Sequence, residues 1–439
     1  MLVSVVAAQA TAATLRVSPQ GEDRAADGSA ARPFRSLQLA ADRAQPGDVI
    51  EVADGLYAPF HVTRDGRAGQ PVTFRASGRG AIIAGTSRFD DRDVAISILA
   101  SHIVLEGFDV RVGARDDSRR SRGIRVSGVH DRHVSHVQLR GNTVSEAGWV
   151  GITVSYADDM VIEGNEVWGS RGQHGIYLAN SGDRPVVRNN VVHDNREAGI
   201  QLNGDPRLPG DGIISGALIS GNRIYRNGRG GSAALNLASV RDSLVVNNLL
   251  YENASQGIAS WDDRAGERFG CKDNRYLHNT VVMPPGARHV FSLRHGSTGA
   301  AVKYNIFINL GGKDALAVDR ASMTGLASDF NVIARVENAD EELVSLAQWQ
   351  RKSSQDRQSR SADAQALFVD TAKHDYRLRE GSPAVDAIPV AVDTSVKSDI
   401  EGNARPQSGG ADIGAFERLS TPVVVPSAAQ NARGMTKSR

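Results

Sequence analysis

The chain has 439 residues, 45 of them glycine, with 40% hydrophobic and 5% aromatic side chains and a formal net charge of +1. That balance excludes the strong positive field of a nucleic-acid or anionic-membrane binder, and one cysteine, Cys271, excludes an internal disulfide framework. Abundant glycine with few aromatics suits short strands joined by tight turns.

Residues 1–13 contain a short apolar run that ends in small side chains, Ala10-Thr11-Ala12-Ala13, spaced like an export cleavage site although no basic segment precedes it. The expected location is therefore secreted or periplasmic. No other stretch approaches the roughly 18 apolar residues of a membrane span. Residues 14–83 read as an N-terminal cap with the first coils. Leu15 to Ser18 is a strand, the apolar spacing from Phe34 to Ala41 is helical, Pro46-Gly47-Asp48 stops that helix, and Val49 to Val52 is a strand. A helix laid over the first coil would cover an edge that otherwise templates aggregation.

From 84 to 335 one short pattern recurs. Strand cores such as Gly123-Ile124-Arg125-Val126, Gly151-Ile152-Thr153-Val154, Gly175-Ile176-Tyr177-Leu178 and Gly199-Ile200-Gln201-Leu202 alternate with Asn142, Asn165, Asn190, Asn222, Asn248, Asn279, Asn305 and Asn331. Intervals between those asparagines are 23, 25, 32, 26, 31, 26 and 26 residues. A base period in the mid-twenties with no room for a helix predicts an all-β solenoid, a parallel β-helix, in which each coil buries its apolar face on the next. Asparagines at one corner would then stack as a ladder. From each asparagine to the next strand's central residue the count stays at 10 to 13, whereas from that residue to its own asparagine it varies from 13 to 22. Extra length therefore falls on one flank, in 127–136, 203–215 and 261–273, where loops would wall a groove.

Residues 336–419 read as a closing region, with a short helix over 341–351, a polar loop over 353–361 and irregular strands near Tyr376 to Leu378 and Pro383 to Val385. Residues 420–439 read as a disordered tail. Four N-terminal elements, Val17 to Gly21, Pro33 to Leu37, Pro46-Gly47-Asp48 and Gly55-Leu56-Tyr57, resemble the cap of secreted right-handed parallel β-helix proteins of the pectate-lyase-like superfamily. Asp399 to Pro406 and Asp412 to Glu417 resemble the C-terminal signature of the same group. The resemblance implies the fold for nearly the whole chain; its members include lyases, hydrolases, epimerases and non-enzymatic adhesins.

Alternation places Arg125, Thr153, Tyr177, Gln201, Asn236, Ala259 and Ser292 on the groove floor, with Ser155, Asn203, Trp261 and Arg294 two residues further on. His174 and His295 flank these strands. Gln201, Asn203, Asn236, Trp261 and His295 are substrate-binding candidates, since amides and an indole face suit a chain of sugars. Resemblance to polysaccharide lyases implies β-elimination on a uronate-containing, acidic polysaccharide by a monomer. That chemistry needs a cation on the carboxylate, a base for the C5 proton and an acid for the leaving oxygen. No lysine precedes Lys272, so Arg125 and Arg294 are the expected neutralisers, His174 the base and Tyr177 the acid, or base and acid combined. Asp205, Asp211 and Asp262 are the expected ligands if Ca2+ replaces arginine. A glycoside hydrolase using Asp205 with Asp262, a C5-epimerase and a non-catalytic carbohydrate-binding solenoid are the alternatives.

Overall fold

The structure, a computed structural model, describes residues 12–113, 120–392 and 395–419. Most of the expected leader and the tail from residue 420 lie outside the described residues.

Every coil contributes one short strand to each of three sheets that run along a common axis. The first sheet has 12 strands, from Thr14–Val17 to Ala327–Asp329, and the second has 10, from Gly55–Tyr57 to Ile306–Asn309. The third, here the groove sheet, has 12 along its path, from Phe60–Val62 to Leu343–Ser345, and Ser87–Phe89 pairs beside that path as its thirteenth. Pairing from coil to coil is parallel and in register; Ile124, Ile152, Ile176, Ile200, Leu235, Ile258, Phe291 and Leu316 form one inward column. All are buried, and each contributes roughly 1.5–3 kcal/mol of transfer free energy on folding. The chain is thus an all-β, right-handed parallel β-helix with an N-terminal capping helix. Its sheets pass through residue 84 without a break, because Thr14–Val17, Val49–Val52 and Val72–Ala76 already belong to the first sheet.

The glycine that opens each strand core has a packing cause. A Cβ on Gly175 would stand 2.5 Å from the Val192 side chain and 2.7 Å from Nδ2 of Asn195, so only glycine lets the groove sheet turn this tightly against the second sheet.

The asparagine ladder forms at all eight positions. Nδ2 of each asparagine donates to Oδ1 of the one in the following coil, from Asn142 to Asn165 at 3.0 Å through to Asn305 to Asn331 at 3.1 Å. From Asn165 onward each Oδ1 also accepts the backbone N–H of the preceding asparagine, that of Asn142 accepts Phe108 N, and Nδ2 reaches a carbonyl of the coil before, as Asn165 does to Leu139 at 2.9 Å. A second, shorter ladder of Asn195, Asn227 and Asn253 stands five residues beyond three of the first set. At the C-terminal end Oδ1 of Asp356 and Oγ of Ser359 take the place of the missing next asparagine for Asn331. The polar loop expected over 353–361 is therefore a plug.

The caps sit slightly off the expected positions. The first helix is Leu37–Arg43, because the Ser36 side chain accepts from Leu39 N and sets the N-terminus there. It covers the edge strand Phe60–Val62, and the Gln38 amide bonds both the C=O and the N–H of His61. The helix expected over 341–351 is Leu346–Ser353, since Leu343–Ser345 pairs antiparallel with Arg335–Glu337 and Ser345 with Gln348 forms a capping box. The two C-terminal signature segments fold onto each other: Arg405 meets Glu417 at 2.8 Å, both essentially inaccessible, and Glu417 N donates to Asp399. They lie against the second sheet and serve the fold.

Asn248→Ala removes an acceptor shared by two Asn222 donors, and should lower unfolding free energy by about 3 kcal/mol, measured by denaturant titration.

Candidate active site

The three long excursions leave the same side of the molecule, since each follows a groove-sheet strand: Arg122–Ser127, Ile200–Asn203 and Gln256–Trp261. The excursions brace one another. Tyr156 Oη donates to Pro209 O at 2.9 Å, and Arg207 donates to the carbonyls of Asp263 and Arg264 at 3.1 and 3.3 Å. Tyr177 faces outward, as the alternation predicts, and in register with Arg125, Thr153, Gln201, Asn236, Ala259 and Ser292.

Two clusters occupy this face. In the first, Tyr177 Oη donates to Asp205 Oδ2 at 3.0 Å, Asp205 N donates to Asn203 Oδ1, and Asn203 Nδ2 donates to Asp263 Oδ2 at 3.0 Å. Burial pushes the Asp205 carboxyl up to about 6, against a lowering by the Tyr177 hydrogen bond and with a further rise from the nearby Asp263 carboxylate. Burial, followed by the Asp205 charge, raises the Tyr177 phenol well above its usual range. Tyr177 is therefore a proton donor and Asp205 an acceptor poised near neutrality. Beside them runs an amide chain in which Trp261 Nε1 donates to Asn236 Oδ1 and Asn236 Nδ2 donates to Gln201 Oε1, at 2.9 and 3.0 Å.

The second cluster lines a groove of about 690 Å³ whose walls include Trp261, Arg264, Arg288, His289, Arg294 and His295. His295 Nδ1 lies 2.7 Å from Asp262 Oδ1 and its ring tilts against Trp261.

Several expected roles change. His174 is buried, its Nδ1 accepts the Ala198 N–H at 3.1 Å, and burial lowers its pKa to about 4. The remaining ring proton then sits on Nε2, which leaves no lone pair for substrate; the ring instead buttresses Tyr177 edge-on, 5.1 Å between centroids. Arg294 is held by Glu337 and follows a strand four rungs from Tyr177, roughly 19 Å at sheet spacing. Arg125 is two rungs away on the other side and bonded to Asp90 at 3.2 Å. The two arginines and Tyr177 thus do not form one centre.

Asp205, Asp211 and Asp262 are not brought together as a calcium site. Asp211 caps its own turn through Ile213 N, Asp205 accepts from Tyr177, and Asp262 is used by His295, Arg264 N and Gly266 N. Among the described residues, the group whose ligand atoms fit around one ion is His289, Asp314 and Glu337, within 4.8 Å of one another. Sequence reasoning missed this group, for its members sit on three coils and no motif links them. It offers one imidazole and two carboxylates, a donor set open to several divalent ions, although Glu337 also holds Arg294. Soft sulfur ligands are not part of it: Cys271, Met160 and Met283 are buried in the coil interior.

The model of a family described as "Periplasmic copper-binding protein (NosD)" matches residues 67–309. The uncharacterized protein YwoF of Bacillus subtilis (strain 168) is 24% identical over 435 residues, covering 84% of this chain and 92% of that protein. Among solved structures, pectate lyase Pel9A is 14% identical with a TM-score of 0.58, over 93% of this chain and 97% of its own. XylC in complex with xylose is 11% identical with a TM-score of 0.55, over 92% and 98%. These two likenesses show the fold. No helix among the described residues is long and apolar enough to cross a membrane.

Because the Asp205 pKa rises from 3.8 to about 6 on folding, its contribution to stability is complete below pH 3.8 and is lost as pH rises through 6. Relative to Asp205→Asn, the wild type should therefore lose stability between about pH 4 and 6, read from paired denaturation curves across that window.

Proposed function

The chain belongs to the NosD family, whose model spans more than half of it, and from that premise we propose that it is a polysaccharide-active enzyme working outside the cytoplasm. Its reaction is the β-eliminative cleavage of a uronate-containing polymer. The observation that carries this reading is the Tyr177–Asp205 pair on the outer face of the groove sheet.

The assignment follows from proton inventory. Asp205, with its carboxyl near 6, takes the C5 proton; the C4–O bond breaks as the C4–C5 double bond forms; Tyr177 gives its proton to the leaving oxygen. The hydrogen bond between the two then returns the proton from Asp205 to Tyr177 and resets the site. Arg207, whose charge acts on Asp205, is the cation assigned to the uronate carboxylate. Asn203, Gln201 and Asn236 are assigned to substrate hydroxyls, and Trp261 to an apolar sugar face.

One observation favours a second reading. The Asp263 carboxylate is near enough to raise the Asp205 carboxyl, and two neighbouring carboxylates are what a glycoside hydrolase needs; Asp263 replaces Asp262, whose carboxylate is committed to its turn. The description of the family also names copper. His289, Asp314 and Glu337 are the residues that would hold a divalent ion, which would supply a fixed positive charge at the Trp261 end of the groove.

Against a panel of acidic polysaccharides, cleavage should generate the ultraviolet absorbance of a conjugated uronate and should increase as pH rises through about 6. Tyr177→Phe and Asp205→Asn should each lower turnover by about 10²- to 10⁴-fold. New reducing ends without that absorbance would favour hydrolysis. In equilibrium dialysis against copper(II), His289→Ala should weaken binding about tenfold or more; unchanged uptake would rule out this cluster.

A further inference from the structure

At the Trp261 end of the groove, two arginines stand at opposite edges of the sheet. Arg264 follows the strand Gln256–Trp261 by three residues, and Arg288 precedes the strand Phe291–Leu293 by three. Those strands are neighbours in register, Ala259 beside Ser292, so the two arginines belong to adjacent coils, one rung or about 4.8 Å apart along the axis. Both are exposed, and both line the open groove of about 690 Å³ together with Trp261.

Each backbone is tied down while its guanidinium is left free. Arg264 N donates to Asp262 Oδ1 at 2.8 Å and its carbonyl accepts from Arg207 at 3.3 Å, with φ at +58° in the left-handed region. Arg288 N donates to Ser255 O at 2.8 Å and its carbonyl accepts from the Asn309 amide at 3.4 Å. Neither guanidinium has a hydrogen bond or ion pair among the described residues. Other charges along the groove are already spent: Arg294 on Glu337, and Asp319 on His295 N and Ser322 N. Glu341, in the turn after Arg335–Glu337, lines the groove without a partner among the described residues, so the unpaired charge is two positive to one negative.

We propose that Arg264 and Arg288 are a two-sided clamp, which binds the carboxylates of two successive uronate residues of an acidic polysaccharide whose chain lies over Trp261. The clamp rests on the polysaccharide reading and deepens it, since Gln256–Trp261 lies three rungs from Ile176–Ala179, about 14 Å along the same polymer from Tyr177. Across the groove, Gln256–Trp261 spans about 17 Å at 3.3 Å per residue, the breadth of one extended sugar chain with an arginine on either side. The one-rung offset matches the step from one sugar to the next, and neighbouring carboxylates on an extended 1,4-linked chain face different edges. A guanidinium fork fits a carboxylate bidentately, and an unpaired one at the rim of an open groove meets the ligand without giving up a protein partner.

Isothermal titration calorimetry of full-length Asp205→Asn protein, compared with the same protein carrying Arg264→Gln, Arg288→Gln or both, tests the clamp. The ligands are oligomannuronates and oligogalacturonates, with neutral and sulfated cello-oligosaccharides as the other arms. Each single change should weaken the better-binding uronate series about tenfold and the double change should weaken it further, while the neutral series does not respond. Thermal melts run in parallel check folding, and where a Gln variant melts lower, Arg264→Met or Arg288→Met takes its place. Unchanged uronate affinity in the double variant, an equal loss with the neutral series, or a loss confined to one arginine overturns the clamp, as does a parent protein that binds neither uronate series. Tighter binding of the sulfated series overturns the assignment to a carboxylate. The uronate-selective loss in a protein whose wild type cleaves no polymer keeps the clamp and removes the lyase; cleavage without that loss does the reverse.

Discussion

The backbone of a β-helix coil cannot satisfy its own hydrogen bonds. Each N–H and C=O of a strand such as Ile176–Ala179 points along the axis, toward Val150–Ser155 on one side and Ile200–Asn203 on the other, so a coil is stable only between neighbours in register. The Asn142 to Asn331 ladder fixes that register at the corners, where a turn would otherwise leave buried backbone groups unpaired. Both ends then need substitutes for absent coils. Gln38 supplies an amide to the edge at His61, and Asp356 with Ser359 supplies oxygens to Asn331.

Register is also what makes a site out of distant residues. Arg125, Tyr177, Asn236 and Ser292 are far apart in the chain yet stand in one outward lane. Because corner asparagines hold two of the three turns nearly constant, insertions are tolerated only where no ladder passes, after the groove-sheet strands. That is why Asp205 and Asp263 arrive over the same lane from loops of two different coils, and why Asn203 can bridge them.

The fold was legible because its determinants are local and periodic: a glycine where Val192 and Asn195 crowd the corner, an apolar alternation, an asparagine. The groove was legible through loop counts, and the outward direction of Tyr177 through alternation. Side-chain pairing was not. Nothing in the order of residues says that His174 spends its lone pair on Ala198 N or that Glu337 captures Arg294, since both depend on which atoms approach across coils. The second ladder was present as asparagines five residues beyond Asn190, Asn222 and Asn248, a signal masked by the stronger first set. His289, Asp314 and Glu337 had no such signal, for they come from three coils without a shared spacing.

The two halves of the groove differ in a way that bears on how a polymer would be held. Downstream of Tyr177 the floor is bonded to itself: Trp261 to Asn236, Asn236 to Gln201, His295 to Asp262, Arg294 to Glu337. Those side chains are fixed before any ligand arrives, so contact with them costs little ordering entropy. Upstream, Ser97, Arg125 and Thr153 hold polar atoms that neither solvent nor described protein groups satisfy. Because those same atoms are closed to solvent, a polymer would meet the downstream side chains first, where Trp261, Arg294 and His295 line the open groove.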